Sequence, residues 1–271
     1  QTDGMYKVAK ADPTAEINGV KYDTLQAAIN AAQATKGGAT ITLLKNINTE
    51  SYYMVNGDNP VTIDLAGYNI TGSGISGLFY VTAKGDLTIK GEGTVTAVED
   101  NGAAMAVWVR SPIAKVTLEG GTYTQQITNT ADPHFDLIYV ERGNVYVKGG
   151  TYKGATPDWT LNCYDEHYQS KEANIEVTGG TFDKDPMPYV VEGSTVKKNA
   201  DGTFGVEKAY LAKVGDKSYY TMDEAFKAQT ASGEAIVLLR DYTTGSTFNS
   251  GSINRTVDLD GHTWTYTGTD V

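Results

Sequence analysis

Cysteine, histidine and basic residues are scarce in this chain of 271 residues. The single cysteine, Cys163, excludes an internal disulfide, and the three histidines show no spacing typical of a zinc site. Lys and Arg number 22 against 33 Asp and Glu, a formal net charge of −11. That balance argues against nucleic acid and anionic membrane surfaces as partners, because phosphate recognition needs clustered positive charge. No apolar run reaches membrane-spanning length, and no signal-peptide pattern opens the chain.

Tyrosine and glycine are abundant instead. The chain has 18 Tyr, 30 Gly and an apolar fraction of 40%, a composition typical of a folded, β-rich protein. A lone cysteine within a strand-like pattern is usually a small buried hydrophobic residue, and we expect this of Cys163.

A short phrase occurs four times in the middle of the chain. Each copy has an alternating run, a glycine step, a threonine and one large apolar residue, as in Asn144-Val-Tyr-Val-Lys-Gly-Gly-Thr-Tyr152. The copies occupy residues 86–95, 115–123, 144–152 and 174–182, and a looser copy occupies 61–70. Their last residues lie 28, 29 and 30 positions apart, and self-similarity at such a period is typical of a solenoid.

The alternating run in each copy predicts a short strand with one buried face. Leu87 and Ile89, for example, lie two apart with Thr88 between them, the period that turns alternate side chains inward. The glycine step then allows a sharp corner with positive φ. Without crossover helices between the copies, these coils favour an all-β fold, a right-handed parallel β-helix. The alternative is an antiparallel sandwich with regular turns, because strand spacing alone does not give strand direction.

A longer repetition divides the chain into modules. Residues 3–11 recur at 201–209, an offset of 198. The matches continue from 17–25 to 214–222, from 41–46 to 236–241 and from 63–67 to 257–261. We therefore expect the tail of a preceding module at 1–11, a complete module at 12–208, and the N-terminal part of a second module at 209–271. This organisation indicates a piece of a tandem array, in which the partial module is either more mobile than the complete one or leans on it.

One amphipathic helix is predicted in the complete module, from Thr24 to Ala34. Thr24 is a suitable N-cap and Gly37-Gly38 a suitable stop. The apolar stripe at helical spacing is formed by Leu25, Ala28, Ile29 and Ala32. Such a helix would cover the first coil and protect its strand edges from pairing with another chain. Residues 221–230 repeat the design.

These motifs resemble two groups of known proteins. The run Thr24-Leu-Gln-Ala-Ala-Ile-Asn-Ala-Ala32, followed by Ala39-Thr-Ile-Thr-Leu43, is similar to the opening of pectate-lyase-like β-helix proteins, in which an amphipathic helix caps the first coil. The Gly-Gly-Thr-Tyr/Phe copies and the stretch 190–204 resemble modules repeated in large surface proteins of gut-dwelling bacteria. The resemblance covers nearly the whole chain and implies an extracellular or cell-surface location. It says little about activity, since β-helices serve as lyases, hydrolases, phage spikes and adhesins.

A second alternating strand lies between the repeated phrases. We align the triplets 79–81, 107–109, 138–140 and 161–163 as stacked rungs with apolar outer members facing the core. The middle members, Tyr80, Trp108, Tyr139 and Asn162, then point outward in a column about 4.8 Å per step. The column is either a surface stack that only stabilises the sheet or a platform for sugar rings. A register error of one residue would instead put the rings inside.

Two polar excursions, 125–136 and 154–169, follow the second and third glycine turns. Loops on one flank of a solenoid often carry its binding surface. Together with the column, they make the candidate glycan-binding residues Tyr80, Trp108, Tyr139, Asn162, His134, Asp136, Trp159, Tyr164 and His167. No cofactor is expected. As a metal site the excursions are unspecific, although they could bring ligands together, with Ca²⁺ favoured over Zn²⁺, from Asp132, His134, Asp136, Asp165, Glu166 and His167.

Three functions remain open at this point. The first is a structural or adhesive module of a bacterial surface protein, whose partners are glycans and neighbouring modules of the same chain. The second is a carbohydrate-active enzyme, a polysaccharide lyase or glycoside hydrolase, built from Asp136 and Asp165 with His134 or His167. No acidic pair is stacked across neighbouring coils outside the excursions, which argues against the enzyme. The third is a spacer without a ligand.

Overall fold

A computed structural model of the chain describes residues 12–128, 135–230, 234–248 and 254–268. The protein is mostly β, with 46% strand and 11% helix, and forms a β-solenoid of about four turns. None of the helices in these ranges is long and apolar enough to cross a membrane. The predicted module tail at 1–11 lies outside the described residues.

The strands of successive coils form three faces. Face 1 consists of Ala39–Leu43, Val61–Asp64, Asp86–Lys90, residues 115–118 of Val107–Leu118, residues 143–147 of Ile138–Val147, and Ala173–Val177. Face 2 consists of Ile47–Thr49, Ile70–Ser73, Thr94–Val98, Thr122–Gln126, Thr151–Lys153 and Gly180–Phe182. Face 3 consists of Tyr53–Val55, Phe79–Val81, residues 107–109, residues 138–140, and Leu161–Cys163.

Strands of successive coils run parallel on all three faces. On face 1, Val116 lies between Leu87 and Val145 in the two neighbouring coils, so the repeated phrases stack in the predicted register. This parallel pairing excludes the antiparallel sandwich as the arrangement of the coils. Antiparallel pairs of strands lie at the two ends of the complete module, and one isolated antiparallel bridge joins Asp100 and Ala103. Ala15–Ile17 and Val20–Tyr22 form a hairpin beside the first coil, and Ser194–Lys198 and Phe204–Lys208 form one beside the last.

The large apolar residue that ends each phrase builds the core of face 2. Tyr123, Tyr152 and Phe182 are fully buried in successive coils, and their rings stack nearly parallel. The ring centroids are 5.0 Å apart between Tyr123 and Tyr152, and 4.9 Å apart between Tyr152 and Phe182. A strand spacing of about 4.8 Å matches this separation, so each ring fills the thickness of one coil. Cys163 is buried as predicted.

The hydroxyls of two of these tyrosines differ in their surroundings. The Tyr152 hydroxyl donates to the carbonyl of Gly149 at 2.8 Å, whereas that of Tyr123 is buried without a partner among the described residues. Burial raises the pKa of both phenols. A buried polar group without a hydrogen bond is unfavourable, while a satisfied one is mildly stabilising.

We therefore expect opposite effects from removing the two hydroxyls. Tyr123→Phe should keep or raise the free energy of unfolding by about 1 kcal/mol, and Tyr152→Phe should lower it by about 1 kcal/mol. Urea denaturation of both variants beside the parent chain is the measurement. Equal destabilisation by the two substitutions would contradict this account of the core.

The predicted helix is present at Leu25–Ala34. The Thr24 side chain accepts from the N–H of Ala27 as an N-cap, and the predicted stripe is buried. The helix ends at Ala34 as predicted, before Gly37-Gly38, because Thr35 takes an extended conformation and its N–H and hydroxyl bond back to the last turn. We name this helix α1. The other α-helices are α2 at Asp165–Gln169 and α3 at Met222–Ala228, and 3-10 turns lie at Pro157–Trp159 and Met187–Tyr189.

Two glutamines of α1 bond to the backbone of the first coil. Gln26 donates to the carbonyl of Met54 at 3.1 Å and accepts from its N–H at 2.9 Å, so its amide mimics a neighbouring strand. Seven residues later, the Gln33 side chain accepts from the N–H groups of Asn56 and Gly57 at 2.8 and 2.5 Å. These bonds satisfy backbone groups of the first strand of face 3, on the side away from the next coil.

The predicted second module reproduces local details of the first. Its strands are Ala212–Val214, Lys217–Tyr219, Ala235–Leu238, Tyr242–Thr244, Thr256–Asp258 and Trp264–Tyr266. Its own buried cluster is Leu211, Ala212, Val214, Met222, Ala225, Ile236, Leu238 and Tyr242. The N–H of Leu239 donates to the carbonyl of Leu211 at 2.9 Å, as that of Leu44 does to Thr14 at 3.0 Å. Of the two expected behaviours of this part, contact with the complete module is observed, through Glu192.

Candidate functional site

The outward column on face 3 has the predicted register. Trp108 lies between Tyr80 and Tyr139, and Tyr139 in turn lies beside Asn162. The outer members of the four triplets are buried, and the four middle residues are partly exposed. The alternation of period two thus sends the rings outward, and the one-residue register error that would bury them is excluded.

The rings of the column contact one another but do not form one plane. The centroids of Tyr80 and Trp108 are 5.4 Å apart with an interplanar angle of 61°, and those of Trp108 and Tyr139 are 6.2 Å apart at 42°. The column therefore presents individual ring faces and edges and not one flat surface. Edge-to-face and tilted packing of this kind also stabilises the column itself.

Three residues of this surface were missed by the sequence analysis. Tyr52 packs edge-on against Tyr80 at 6.0 Å, and Met54 occupies the rung before Tyr80 in the triplet Tyr53–Val55. The signal for that rung was available, because Tyr53 and Val55 repeat the apolar outer members found at 79 and 81. The third residue, Arg110, places its guanidinium carbon 5.2 Å from the centre of the Trp108 ring and covers part of its face.

Tyr139 and Trp108 are both partly buried. Burial raises the pKa of Tyr139 to about 12, with the nearby carboxylates of Asp136 and Glu141 adding to the effect. The indole Nε1 of Trp108 is buried and has no hydrogen-bond partner among the described residues. The middle of the column is therefore only partly accessible to solvent.

Polar groups border the column at the corner between face 3 and face 1. Arg110 forms an ion pair with Glu141 at 3.0 Å, and Arg142 pairs with Glu172 at 3.3 Å. The Nε of Arg142 also donates to Nε2 of His167 at 3.0 Å, while Nδ1 of that ring lies 2.6 Å from the carbonyl of Glu141. Because arginine can only donate, Nε2 accepts and Nδ1 carries the proton given to the carbonyl. His167 therefore links the side chain of Arg142 to the backbone of Glu141 at this corner.

The remaining predicted residues divide between two places. The Asn162 amide donates to Asp136 at 2.8 Å, and the Tyr164 ring packs edge-on against His167 with centroids 4.8 Å apart, so these four lie at the end of the column. Trp159 lines a groove of about 570 Å³ beyond the last face-3 strand, which we call the end groove. It is lined by Asp158, Trp159, Thr160, Leu161, Asn162, Asp165, Phe182, Lys184, Asp185, Pro186, Pro188 and Tyr189. Asn162 belongs to both places.

Only some of the predicted metal-binding and acid–base residues lie within the described part of the chain. Asp132 and His134 lie outside the described residues. Among those that are described, no group of three or more His, Cys, Asp and Glu side chains could hold a metal ion. Asp136 is engaged with Asn162, whereas Asp165 is exposed at the start of α2 and lines the end groove.

Comparisons with known proteins return no match. No protein-family profile, curated protein or solved structure is significantly similar to this chain. The likeness to pectate-lyase-like proteins and bacterial surface modules therefore rests on sequence motifs alone, while the β-solenoid is a property of the structure. Function has to be argued from face 3, the end groove and the relation between the two modules.

Proposed function

We propose that this chain is an adhesive module of a tandem-repeat extracellular protein from a bacterial surface, and that face 3 contacts glycans. The observation that carries the proposal is the column of Tyr80, Trp108 and Tyr139, held outward in register on three successive coils. Exposed aromatic surface offers apolar area to the C–H faces of sugar rings, and neighbouring polar groups can hold hydroxyls.

The proposed ligand is an extended oligosaccharide. Four rungs at about 4.8 Å place roughly 14 Å between Tyr80 and Asn162, a span longer than one sugar ring. Asp136 and Asn162 would accept and donate hydrogen bonds at one end, and the Arg110–Glu141 pair would do so along the side. Because the rings are tilted, each would meet the sugar chain by a separate face or edge.

The finer description of the fold belongs to the same proposal. We propose a right-handed solenoid, because crossover connections between parallel strands are right-handed in about 98% of cases. We also propose that α1 caps the first coil, and the bonds from Gln26 and Gln33 to the outer backbone of that coil support this role. A capped end keeps a solenoid from adding foreign strands.

Glycan-array binding of the parent chain and of Trp108→Ala tests the proposal. We expect the bound glycans to lose about tenfold or more in affinity when the central ring is removed, as for other buried aromatic anchors. The matched control is Tyr146→Ala, which removes a partly exposed ring from face 1. Circular dichroism should show both variants folded. No binding by the folded parent chain across a broad array would support the spacer instead.

A carbohydrate-active enzyme is the second candidate, because the end groove combines a ring with carboxylates. Trp159, Asp165 and Asp185 line it together, although Asp158 is already paired with Lys184 at 2.6 Å. An enzyme would release new sugar ends from the polysaccharide it binds, and Asp165→Asn would abolish the release. Binding that leaves the polysaccharide intact would assign face 3 to adhesion.

A further inference from the structure

The end of the complete module is seated on the second module through a short segment that we call the closing segment, residues 190–194. The Glu192 carboxylate accepts from the N–H of Met222 at 2.5 Å and from the hydroxyl of Tyr242 at 3.2 Å. Two residues later, the carbonyl of Ser194 accepts from Nη1 of Arg240 at 3.1 Å. An acidic side chain thus meets the N-terminus of α3, where the helix dipole favours negative charge.

Gly193 fits closely between these contacts. Its φ is +87°, and a Cβ added to it would lie 3.1 Å from the Cβ and the carbonyl oxygen of Tyr220. The carbonyl of Gly193 accepts from the N–H of Ala209 at 3.0 Å. The closing segment is therefore fixed by backbone and side-chain bonds together, and the positions that receive it are Tyr220, Met222, Arg240 and Tyr242.

Each of these four positions has a counterpart in the complete module. The sequence matches and the shared hydrogen bonds pair Tyr220 with Asp23, Met222 with Leu25, Arg240 with Lys45 and Tyr242 with Ile47. Equivalent local hydrogen bonds confirm this alignment of the two modules. The N–H of Ser51 donates to the Thr49 hydroxyl at 3.0 Å, and that of Ser246 to the Thr244 hydroxyl at the same distance.

The four counterparts line one groove of about 610 Å³, which we call the head groove. Its lining is Thr14, Asp23, Thr24, Leu25, Gln26, Lys45, Asn46, Ile47, Asn48, Thr49, Ser51, Tyr52 and Tyr53. The same place in the second module is contacted by the closing segment of the first, whose Glu192 bonds to Met222 and Tyr242 there. The head groove thus has the position, the helix N-terminus and the cation of an occupied junction.

We propose that the head groove is the docking site for the closing segment of another module of this kind. The glutamate matching Glu192 would accept from the N–H of Leu25 at the start of α1, and the carbonyl matching Ser194 would accept from Lys45. This inference deepens the proposed tandem organisation and rests on it. It makes every junction of the array the same directional contact, in which the acidic end of one module meets the helix N-terminus of the next.

Three differences between the two sites define the fit. Lys45 replaces Arg240 and keeps the positive charge, and its Nζ already donates to the carbonyl of Asp12 at 2.6 Å. Ile47 lacks the hydroxyl of Tyr242, whereas Tyr53, which stands where the second module has Phe248, is a lining residue of the same groove. Asp23 replaces Tyr220 and lies beside the position of the glycine, so the incoming carboxylate has to approach from the Lys45 side.

An extended chain tests the proposal. At the offset of 198, Gln1 matches Asn199, so a copy of residues 186–198 joined directly before Gln1 restores the closing segment in its own spacing. Hydrogen exchange at the Leu25 amide is then compared in the parent chain, the extended chain, and an extended chain with Ala at the position that copies Glu192. We expect the Leu25 amide to exchange about tenfold or more slowly in the extended chain with the glutamate than in the other two proteins. This is the effect of one hydrogen bond to a charged group.

Glu192→Ala in the parent chain is the internal reference, because it should speed exchange at Met222 and leave Leu25 unchanged. Lys45→Ala in the extended chain should weaken the protection of Leu25, whereas Lys36→Ala, at an exposed position beyond α1, should not. Equal exchange at Leu25 with and without the extension, while Met222 responds to Glu192→Ala, would overturn the proposal. Sugar binding depends on Trp108, outside the head groove, so a failed junction and a failed glycan site give separate results.

Discussion

Tyr152→Ala should lower the free energy of unfolding of the solenoid by about 3 to 5 kcal/mol, the range for removing a large aromatic ring from a core. Tyr152 is fully buried and stacks on Tyr123 on one side and Phe182 on the other. Removing it leaves a cavity that spans one coil, and both neighbouring rings lose a stacking partner. In a solenoid each coil contacts only the coils beside it, so no distant packing can compensate.

Urea denaturation followed by far-ultraviolet circular dichroism measures this effect. Tyr146→Ala is the matched control, because Tyr146 belongs to the same coil but points outward from face 1 and is only partly buried. We expect it to change the free energy of unfolding by less than about 1 kcal/mol. A similar loss in both variants would mean that the stacked rings of face 2 are not what holds neighbouring coils together.

The sequence predicts the solenoid well because its determinants are local and repeated. In each coil the apolar residues at a period of two define the buried face. A shift of the strand by one residue would expose all of them. The repetition itself then sets which residues stack, as for Trp108 beside Tyr80 and Tyr139. Sheet direction was the open point, and the coil-to-coil pairing settles it as parallel.

The site is predicted only in part, because its details depend on side-chain rotamers across coils. The period of two places the rings outward but does not determine their tilt or the position of Arg110 over Trp108. The bond between Asp136 and Asn162 and the link from Arg142 to His167 join residues 25 or 26 positions apart that share no local pattern. The edge contacts of Gln26 escape prediction for the same reason, since the residue appears as one polar position on an amphipathic helix.

The two modules show where repetition does and does not help. The match between 41–46 and 236–241 predicts equivalent strands, and the shared bond patterns follow. It does not predict that Glu192 of the first module would fill the site in the second, because the closing segment belongs to neither matched stretch. The contact is set by hydrogen bonds from Met222 and Tyr242 to Glu192, at positions whose counterparts line the head groove.

Gly93→Ala should lower the free energy of unfolding by about 3 kcal/mol or more, because two penalties combine. The φ of Gly93 is +140°, a conformation that residues with a Cβ rarely adopt. A Cβ at this position would also lie 2.1 Å from the carbonyl oxygen of Tyr68 in the preceding coil. That oxygen belongs to the backbone and cannot move aside as a flexible side chain would, so the corner between face 1 and face 2 has to open.

Gly67→Ala separates the two penalties. Gly67 lies in the preceding coil with φ of +86°, and a Cβ there would meet no atom within 4 Å. Its replacement should cost only the left-handed conformation, about 1 to 2 kcal/mol. The carbonyl of Gly93 accepts from the N–H of Thr122 in the next coil at 2.8 Å, so displacing the corner would also weaken the bond that continues the stack. If chemical denaturation gives the two variants equal stability, close contact between coils is not what requires glycine at this corner, and backbone conformation alone accounts for it.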